Sequence, residues 1–473
     1  MTAGSARKRT RAKKRHTGTA RMDVTIKAGR ATETFVPAIS SKSYVHRLLI
    51  AAALSDGSTA VRTNILSKDM EATARVIDSL GGKVEIKEAD GYYDLCVLRP
   101  LTEGGAIEAV CDCGESGSTA RFMLPVASFV SQSATLTGTG KLPERPMGPL
   151  CDVLRASGVS VSADHLPITV KGKPHAGKYE IAGNVSSQFI SGLLFMLPLL
   201  DGDSELKITG SLESAAYVDM TVDVLGRFGI EIRKNGNIYC IPGAQHYEPA
   251  DGTAVFTAEG DWSNAAYLMA IAALGAGRVF DSLTVSGLDD KNIQGDRAIV
   301  DILEQFLVNI ICSQRGEHNE YTINGGPKKS IDVDCTDIPD LVPALAVIAA
   351  YTDGDSIFRN VGRLRMKECD RIDAIEKLLG AINTSVDITC DKTSGKTTEN
   401  LIVHGKNCAH VKAGQSGIVI DGFNDHRIVM AATAAAFRED VPVTVKGARA
   451  VDKSYPGFFG VVEKLGGNIC RSH

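Results

Sequence analysis

The run R-L-R-M-K-E-C-D-R-I-D, Arg363 to Asp373, crowds three arginines and a lysine around Glu368 just ahead of an apolar stripe. A carboxylate among cations has its pKa lowered, so Glu368 can donate a proton only where burial opposes that shift. Lys367 and Arg371 are four apart and are expected to share a helix face. A solvated first turn laced with ion pairs is the plainer reading, but a surface helix does not need so dense a cluster. A second candidate is T-D-I-P-D-L-V-P, where Pro339 locks a turn and Asp340 precedes only apolar residues. Such an aspartate is either a helix cap or a general base. Lys453, in V-D-K-S-Y-P, stands before a proline-marked helix start and is either an exposed lysine or a phosphate clamp.

These residues need elements to hold them. Six segments begin with Ser, Asp or Asn and continue as runs of small apolar residues, such as S-S-K-S-Y-V-H-R-L-L-I-A-A-A-L and F-N-D-H-R-I-V-M-A-A-T-A-A-A. The opening is an N-cap signature, and helices apolar on every side are buried ones. Their first turns nevertheless carry Lys42, Arg47, Arg121 and Arg427. Cations are unfavourable at the positive end of a helix dipole, and an anion between them resolves the conflict. For any one of these starts a plain cap is the bland explanation; several basic caps in one array favour anion binding.

Between them runs a different, amphipathic set, each helix ending in leucine, a glycine cap and a short strand. Six copies span Val76 to Val84, Leu150 to Val161, Val222 to Ile232, Ile299 to Ile311, Ile372 to Ile382, and Val461 to Ile469; the fourth, F-L-V-N-I-I, lacks the glycine. A unit this small cannot bury its own sheet face, so the units are expected to pack with helices inside.

The 473 residues suggest two domains, and a net charge of −4 argues against a body that coats nucleic acid. Eleven scattered cysteines without paired spacing read as free thiols in a reducing compartment, with Cys111 and Cys113 as strand residues rather than a metal pair. No apolar stretch is long enough to span a membrane. Residues 1–21 are strongly basic and without apolar content, and are expected to be a disordered tail; a nucleic-acid-binding arm is the minority reading. No Walker, dinucleotide, nucleophile-elbow or zinc-protease motif is present, so no cofactor and no metal is expected.

From about Val24 onward the chain resembles the enolpyruvyl transferase family, and within it the branch acting on shikimate 3-phosphate. The resemblance is carried, in order, by S-K-S-Y-V-H-R, G-E-S-G-S-T-A-R, E-R-P-M, V-S-S-Q-F, D-I-P-D, K-E-C-D-R, N-D-H-R and D-K-S-Y-P. It implies an α/β fold, a two-domain inverse α/β barrel of six βαβαββ units with helices packed inside. Residues 42–257 would form one domain, and 22–41 with 258–473 the other. It further implies transfer of the enolpyruvyl group of phosphoenolpyruvate to the 5-hydroxyl of shikimate 3-phosphate with release of phosphate, by a cytoplasmic monomer.

Carried over by position, Lys42, Gly117, Arg145, Gln188, Arg371, Arg427 and Lys453 would hold phosphoenolpyruvate. Ser43, Arg47, Ser186, Ser187, Gln188, Tyr217, Asp340 and Lys367 would hold shikimate 3-phosphate, with Lys42 beside them. Asp340 would take the hydroxyl proton, Glu368 would protonate the methylene carbon, and Lys42 would assist. The chain departs from the family pattern at A-I-S before Lys42, at Glu115 where Asn is common, at Cys369, and at Ala215 and Ala216 before Tyr217. Gly117 leaves the phosphoenolpyruvate pocket uncrowded, which fits sensitivity to glyphosate. The rival within the fold is the UDP-N-acetylglucosamine enolpyruvyl transferase, whose loop cysteine has no counterpart here.

Overall fold

The computed structural model describes residues 22–101, 105–316, 318–393, 396–406 and 415–472. The basic segment 1–21 lies outside the described residues.

Twelve α-helices form among the described residues: α1 (Lys42–Leu54), α2 (Lys68–Ser79), α3 (Gly117–Val130), α4 (Gly148–Ala156), α5 (Ser187–Met196), α6 (Ala215–Arg227), α7 (Trp262–Gly275), α8 (Ile299–Gln305), α9 (Val342–Ala350), α10 (Arg371–Ala381), α11 (His426–Ala436) and α12 (Phe458–Lys464). Odd- and even-numbered helices differ in kind. Every residue of α7, α9 and α11 is buried, and α1, α3 and α5 are nearly so. Side-chain caps from Ser41, Ser116, Ser186, Asp261 and Asp425 start five of these six. In α9 the first turn has no side-chain cap, and the N-cap position is Leu341, so Asp340 is not spent on capping.

The even-numbered helices bury one face only and end alike, on a residue in left-handed conformation two places past the helix. That residue is Gly81 (φ 100°), Gly158 (98°), Gly229 (74°), Leu307 (62°), Asn383 (58°) or Gly466 (93°). Left-handed φ costs a side-chain-bearing residue energy that glycine escapes, hence glycine in four of the six. The expected glycine of the fifth copy, Gly380, instead lies inside α10, and Asn383 makes the turn. Asparagine is the usual substitute there.

Each pair of helices joins a four-stranded sheet, and six such sheets share one order. In one, Ala106–Asp112, Ser131–Thr137, Ile168–Lys171 and Ser160–Val161 stand side by side, the first pair parallel and the others antiparallel. The connectivity is βαβαββ with a buried helix crossing between the parallel strands. Cys111 lies in the first of these strands; Cys113 follows it, buried.

Three sheets are completed from a distance. Phe35–Pro37 pairs with Leu283–Leu288, and Val255–Thr257 pairs with Thr59–Thr63. The chain thus leaves one sheet after Pro37, enters α1, completes three sheets, and returns through Val255–Thr257 into α7. Strand Asp23–Ala28 inserts between Val443–Lys446 and Gly467–Ser472, closing the last sheet with the start of the fold. The two crossing segments bind each other: Ser41 N–H donates to Glu259 O and Asp261 N–H to Ile39 O, each at 2.7 Å. Helix packing runs among α1, α2, α3, α5 and α6, and separately among α7, α9, α10 and α11. Each fully buried Leu, Ile or Phe in these interiors contributes roughly 1.5–3 kcal/mol. The capped starts of α1, α3, α5 and α11 line a common cleft.

Candidate active site

Arg371, the first residue of α10, is 1% exposed and joins three carboxylates. Its Nε donates to Asp425 Oδ2 at 2.8 Å, Nη1 to Asp340 Oδ1 at 2.7 Å, and Nη2 to Glu368 Oε2 at 2.8 Å. Asp425 is fully buried and also caps α11 by accepting from Arg427 N–H. The N-D-H-R motif therefore serves twice, placing Arg427 and supplying the counter-ion of Arg371. The second role was not apparent from the motif alone.

Helix α10 begins later than the charge pattern suggested. Asp370 is its N-cap, and Lys367 lies before it in extended conformation at the end of the short helical turn Gly362–Met366. Lys367 and Arg371 therefore share no helix face, yet both reach Asp340, Lys367 Nζ at 3.6 Å from Oδ1. Arg427 Nη2 approaches the other oxygen at 3.7 Å. Burial raises the pKa of Asp340, but Lys367, Arg427 and Arg371 outweigh it and hold the carboxyl well below its usual range. Glu368 behaves alike: burial pushes it up, while Arg371 and then Arg145, 3.8 Å away, bring it well below the ordinary value. Burial, helped by the nearby Arg371 and Arg363, pushes the Lys367 amine down to about 8, with Asp340 opposing.

Facing these groups across the cleft are the starts of α1, α3 and α5. Lys42 donates to Asp69 Oδ2 at 2.8 Å. Arg47, one turn into α1, is buried and donates to Thr221 Oγ1, to Ser43 O and to Tyr217 O at 2.8–2.9 Å. Gln188 is fixed by accepting from Arg121 Nη1 at 2.7 Å and donating to Ser118 Oγ at 2.8 Å. A Cβ on Gly117 would sit 2.6 Å from Arg145 Nη1, so that glycine makes room for the guanidinium.

The cavity is lined by every one of the residues singled out from sequence except Lys453: Lys42, Ser43, Arg47, Gly117, Arg145, Ser186, Ser187, Gln188, Tyr217, Asp340, Lys367, Glu368, Arg371 and Arg427. Lys453 lies on an adjoining cavity, its Nζ bonded to Glu115 Oε2 at 2.7 Å. Ser214 lines the main cavity too and accepts from Arg363 Nη1 at 3.2 Å. Arg121, named from sequence only as one of the basic helix starts that favour an anion, lines the wall too, as do Arg363, His426 and Asp69, which had no ligand role assigned. His426 stood inside the N-D-H-R motif, which could have named it; Asp69 had no such signal. Buried Nε groups of Arg121, Arg145 and Arg427 find no hydrogen-bond partner among the described residues. Such donors are costly to bury unpaired, and they suit a multiply charged oxyanion.

No cluster of metal-ligating side chains occurs among the described residues, and no described helix is long and apolar enough to cross a membrane. Of the three carboxylates on Arg371, two, Asp340 and Glu368, face the cavity, set in a ring of cations and helix N-termini.

Residues 26–462 match the family model described as EPSP synthase (3-phosphoshikimate 1-carboxyvinyltransferase). A 3-phosphoshikimate 1-carboxyvinyltransferase of Clostridium kluyveri is 38% identical over 440 residues, covering 91% of this chain and 94% of that protein. Its counterpart from Methanocaldococcus jannaschii is 34% identical, covering 92% and 96%. Among solved structures, EPSP synthase from Acinetobacter baumannii superposes with a TM-score of 0.72 at 21% identity over 96% of this chain and all of that one. An enolpyruvyl transferase from Streptomyces tendae gives 0.69 at 15% identity, covering 96% and 99%.

Proposed function

We propose how this cleft works from one premise: the chain belongs to the EPSP synthase family. The protein is an enzyme, a 3-phosphoshikimate 1-carboxyvinyltransferase, moving the enolpyruvyl group of phosphoenolpyruvate to the 5-hydroxyl of shikimate 3-phosphate and releasing phosphate on the route to chorismate. The assignment of roles to residues rests on one observation, the anchoring of Asp340 and Glu368 on the same buried guanidinium.

In this reading the substrate hydroxyl attacks C2 of phosphoenolpyruvate, its proton passes to Asp340, and Glu368 delivers a proton to C3. The tetrahedral intermediate then breaks its C2–O bond to phosphate. Glu368 takes the C3 proton back, restoring the double bond, and the proton on Asp340 leaves with phosphate. Both carboxyls are held low in the substrate-free cleft, where Asp340 is a weak base and Glu368 carries no proton to give. Substrate anions remove the cause. Phosphoenolpyruvate on Lys42, Arg145, Arg371 and Arg427, with Gly117 and Gln188 beside it, and shikimate 3-phosphate on Ser43, Arg47, Ser186, Ser187, Tyr217 and Lys367 offset the cations that depress the two pKa values. Each carboxyl then moves toward the range in which it can exchange protons. Lys453 joins the phosphoenolpyruvate set after leaving Glu115.

We further divide the protein into residues 42–257 and residues 22–41 with 258–473, following the two helix packs and the paired crossing segments. A cytoplasmic location is supported by the cysteines, all ten among the described residues being free thiols, while a monomer remains what the family resemblance implies.

Phosphate release tests the reading. It is expected only when both substrates are present, and Asp340→Ala is expected to lower kcat by about 10²–10⁴-fold. Release with phosphoenolpyruvate alone, or full activity in the variant, would overturn the roles assigned.

A further inference from the structure

We propose that Glu115 is an internal competitor of phosphoenolpyruvate: its carboxylate holds Lys453 outside the catalytic cavity, and the incoming substrate phosphate must displace it. The inference rests on Lys453 being a phosphoenolpyruvate ligand, as assigned above.

Of the seven residues given that role, Lys453 is the one absent from the cavity wall. Its Nζ donates to Glu115 Oε2 and to Asn424 O, each at 2.7 Å. Asn424 Nδ2 donates to the same Glu115 oxygen at 2.9 Å. Glu115 belongs to the loop before α3, whereas Asn424 precedes α11 and Lys453 ends the short helical turn Ala448–Lys453, so the three side chains tie one half of the fold to the other on the adjoining cavity. Space for the contact is built in: a Cβ on Gly140 would stand 2.6 Å from the Glu115 carboxylate. Phe423 and Asn424 both adopt left-handed φ, 49° and 53°, in the turn that presents the Asn424 carbonyl to Lys453.

The pair is poised for exchange rather than locked. Glu115 is one-third exposed, and Lys453 carries its charge on a four-carbon stem that can swing. Glu115 lies two residues before Gly117, which abuts Arg145, so the loop that carries it runs directly into the cavity wall at the start of α3. An anionic substrate therefore gains Lys453 only by breaking the Glu115 contact, and its affinity is reduced by that contact. Asp69 holds Lys42 in the same manner on the shared wall of the two cavities.

The experiment compares wild type, Glu115→Gln, Lys453→Met and the double variant by steady-state kinetics and by calorimetric titration with inorganic phosphate. Glu115→Gln is expected to lower KM for phosphoenolpyruvate by about three- to ten-fold, with KM for shikimate 3-phosphate and kcat within about twofold. Phosphate is expected to bind correspondingly tighter. In the Lys453→Met background the same change should alter neither quantity. An unchanged or raised KM for phosphoenolpyruvate in Glu115→Gln would overturn the proposal. So would a parallel change in both KM values with a lowered melting temperature, which marks a merely structural residue, or an equal effect with Lys453 removed. Absence of turnover in the wild type would instead sink the assigned reaction, leaving the phosphate titration to decide the role of Glu115.

Discussion

Lys367 and Arg371 show how far two cations against one carboxylate can differ. Arg371 has three carboxylate partners and keeps its charge at any working pH. Lys367 is buried beside Asp340 with Arg371 and Arg363 opposing its charge, and its amine is brought down to about 8. Below that value it is an ammonium able to meet an anion; above it, a neutral amine. For the substrate-free enzyme kcat/KM for shikimate 3-phosphate is therefore expected to fall as pH rises through about 8. Lys367→Arg should flatten the profile between pH 7 and 10, because a guanidinium does not titrate there. Initial rates across that range check the sign: a profile of the same shape in wild type and variant would show that another group controls it. Residue types at these positions were legible through the resemblance that K-E-C-D-R and D-I-P-D carry, since the charges by themselves left a solvated turn and a helix cap open. The geometry was not, since the helix starts at Arg371 rather than at Arg363 and the two cations converge on Asp340 from different local structures.

Among the elements, the even-numbered helices give an internal comparison of one turn made six times. Four copies end on glycine, one on Asn383 and one on Leu307. Leu307 has φ 62° and is 54% exposed, so its side chain gains little from burial while its backbone carries the left-handed cost. That cost is about 1–2 kcal/mol for a side-chain-bearing residue, against about 0.5–1 kcal/mol of extra entropy lost when glycine is fixed. Leu307→Gly is expected to stabilise the protein by about 0.5–1 kcal/mol without changing kcat. Denaturant unfolding of the two proteins side by side measures it, and a less stable variant would show that the side chain does more than its exposure indicates. The missing glycine was visible in F-L-V-N-I-I, whereas the displacement of the fifth cap from Gly380 to Asn383 was not. Both residues suit a turn, and only packing of Ile382 and the following strand decides between them.

Charge is concentrated by the whole fold: eight lysines and arginines face three acidic side chains on the cavity wall, although the chain carries a net charge of −4. Helix starts from both packs create that field, so it depends on how the two crossing segments hold the packs together. The repeats were readable because each helix and cap is local. The exchange of strands was not, because Phe35–Pro37 is three residues long and its partner Leu283–Leu288 lies far along the chain. Gln294 pins the crossing. It accepts from Ser41 Oγ at 3.3 Å and from Trp262 N–H at 3.2 Å, and donates to Gly260 O at 2.8 Å. Leucine there would leave a buried N–H and a buried carbonyl without their partner, each worth about 1–3 kcal/mol. Gln294→Leu is accordingly expected to lose about 2–4 kcal/mol of stability, with Gln294→Glu intermediate because it keeps the acceptor. With both substrates placed between the packs as proposed, the two KM values should rise together while kcat at saturation changes less. A rise confined to one substrate would mean that Gln294 acts on a single binding subsite, and the crossing segments would then not be what sets the cleft.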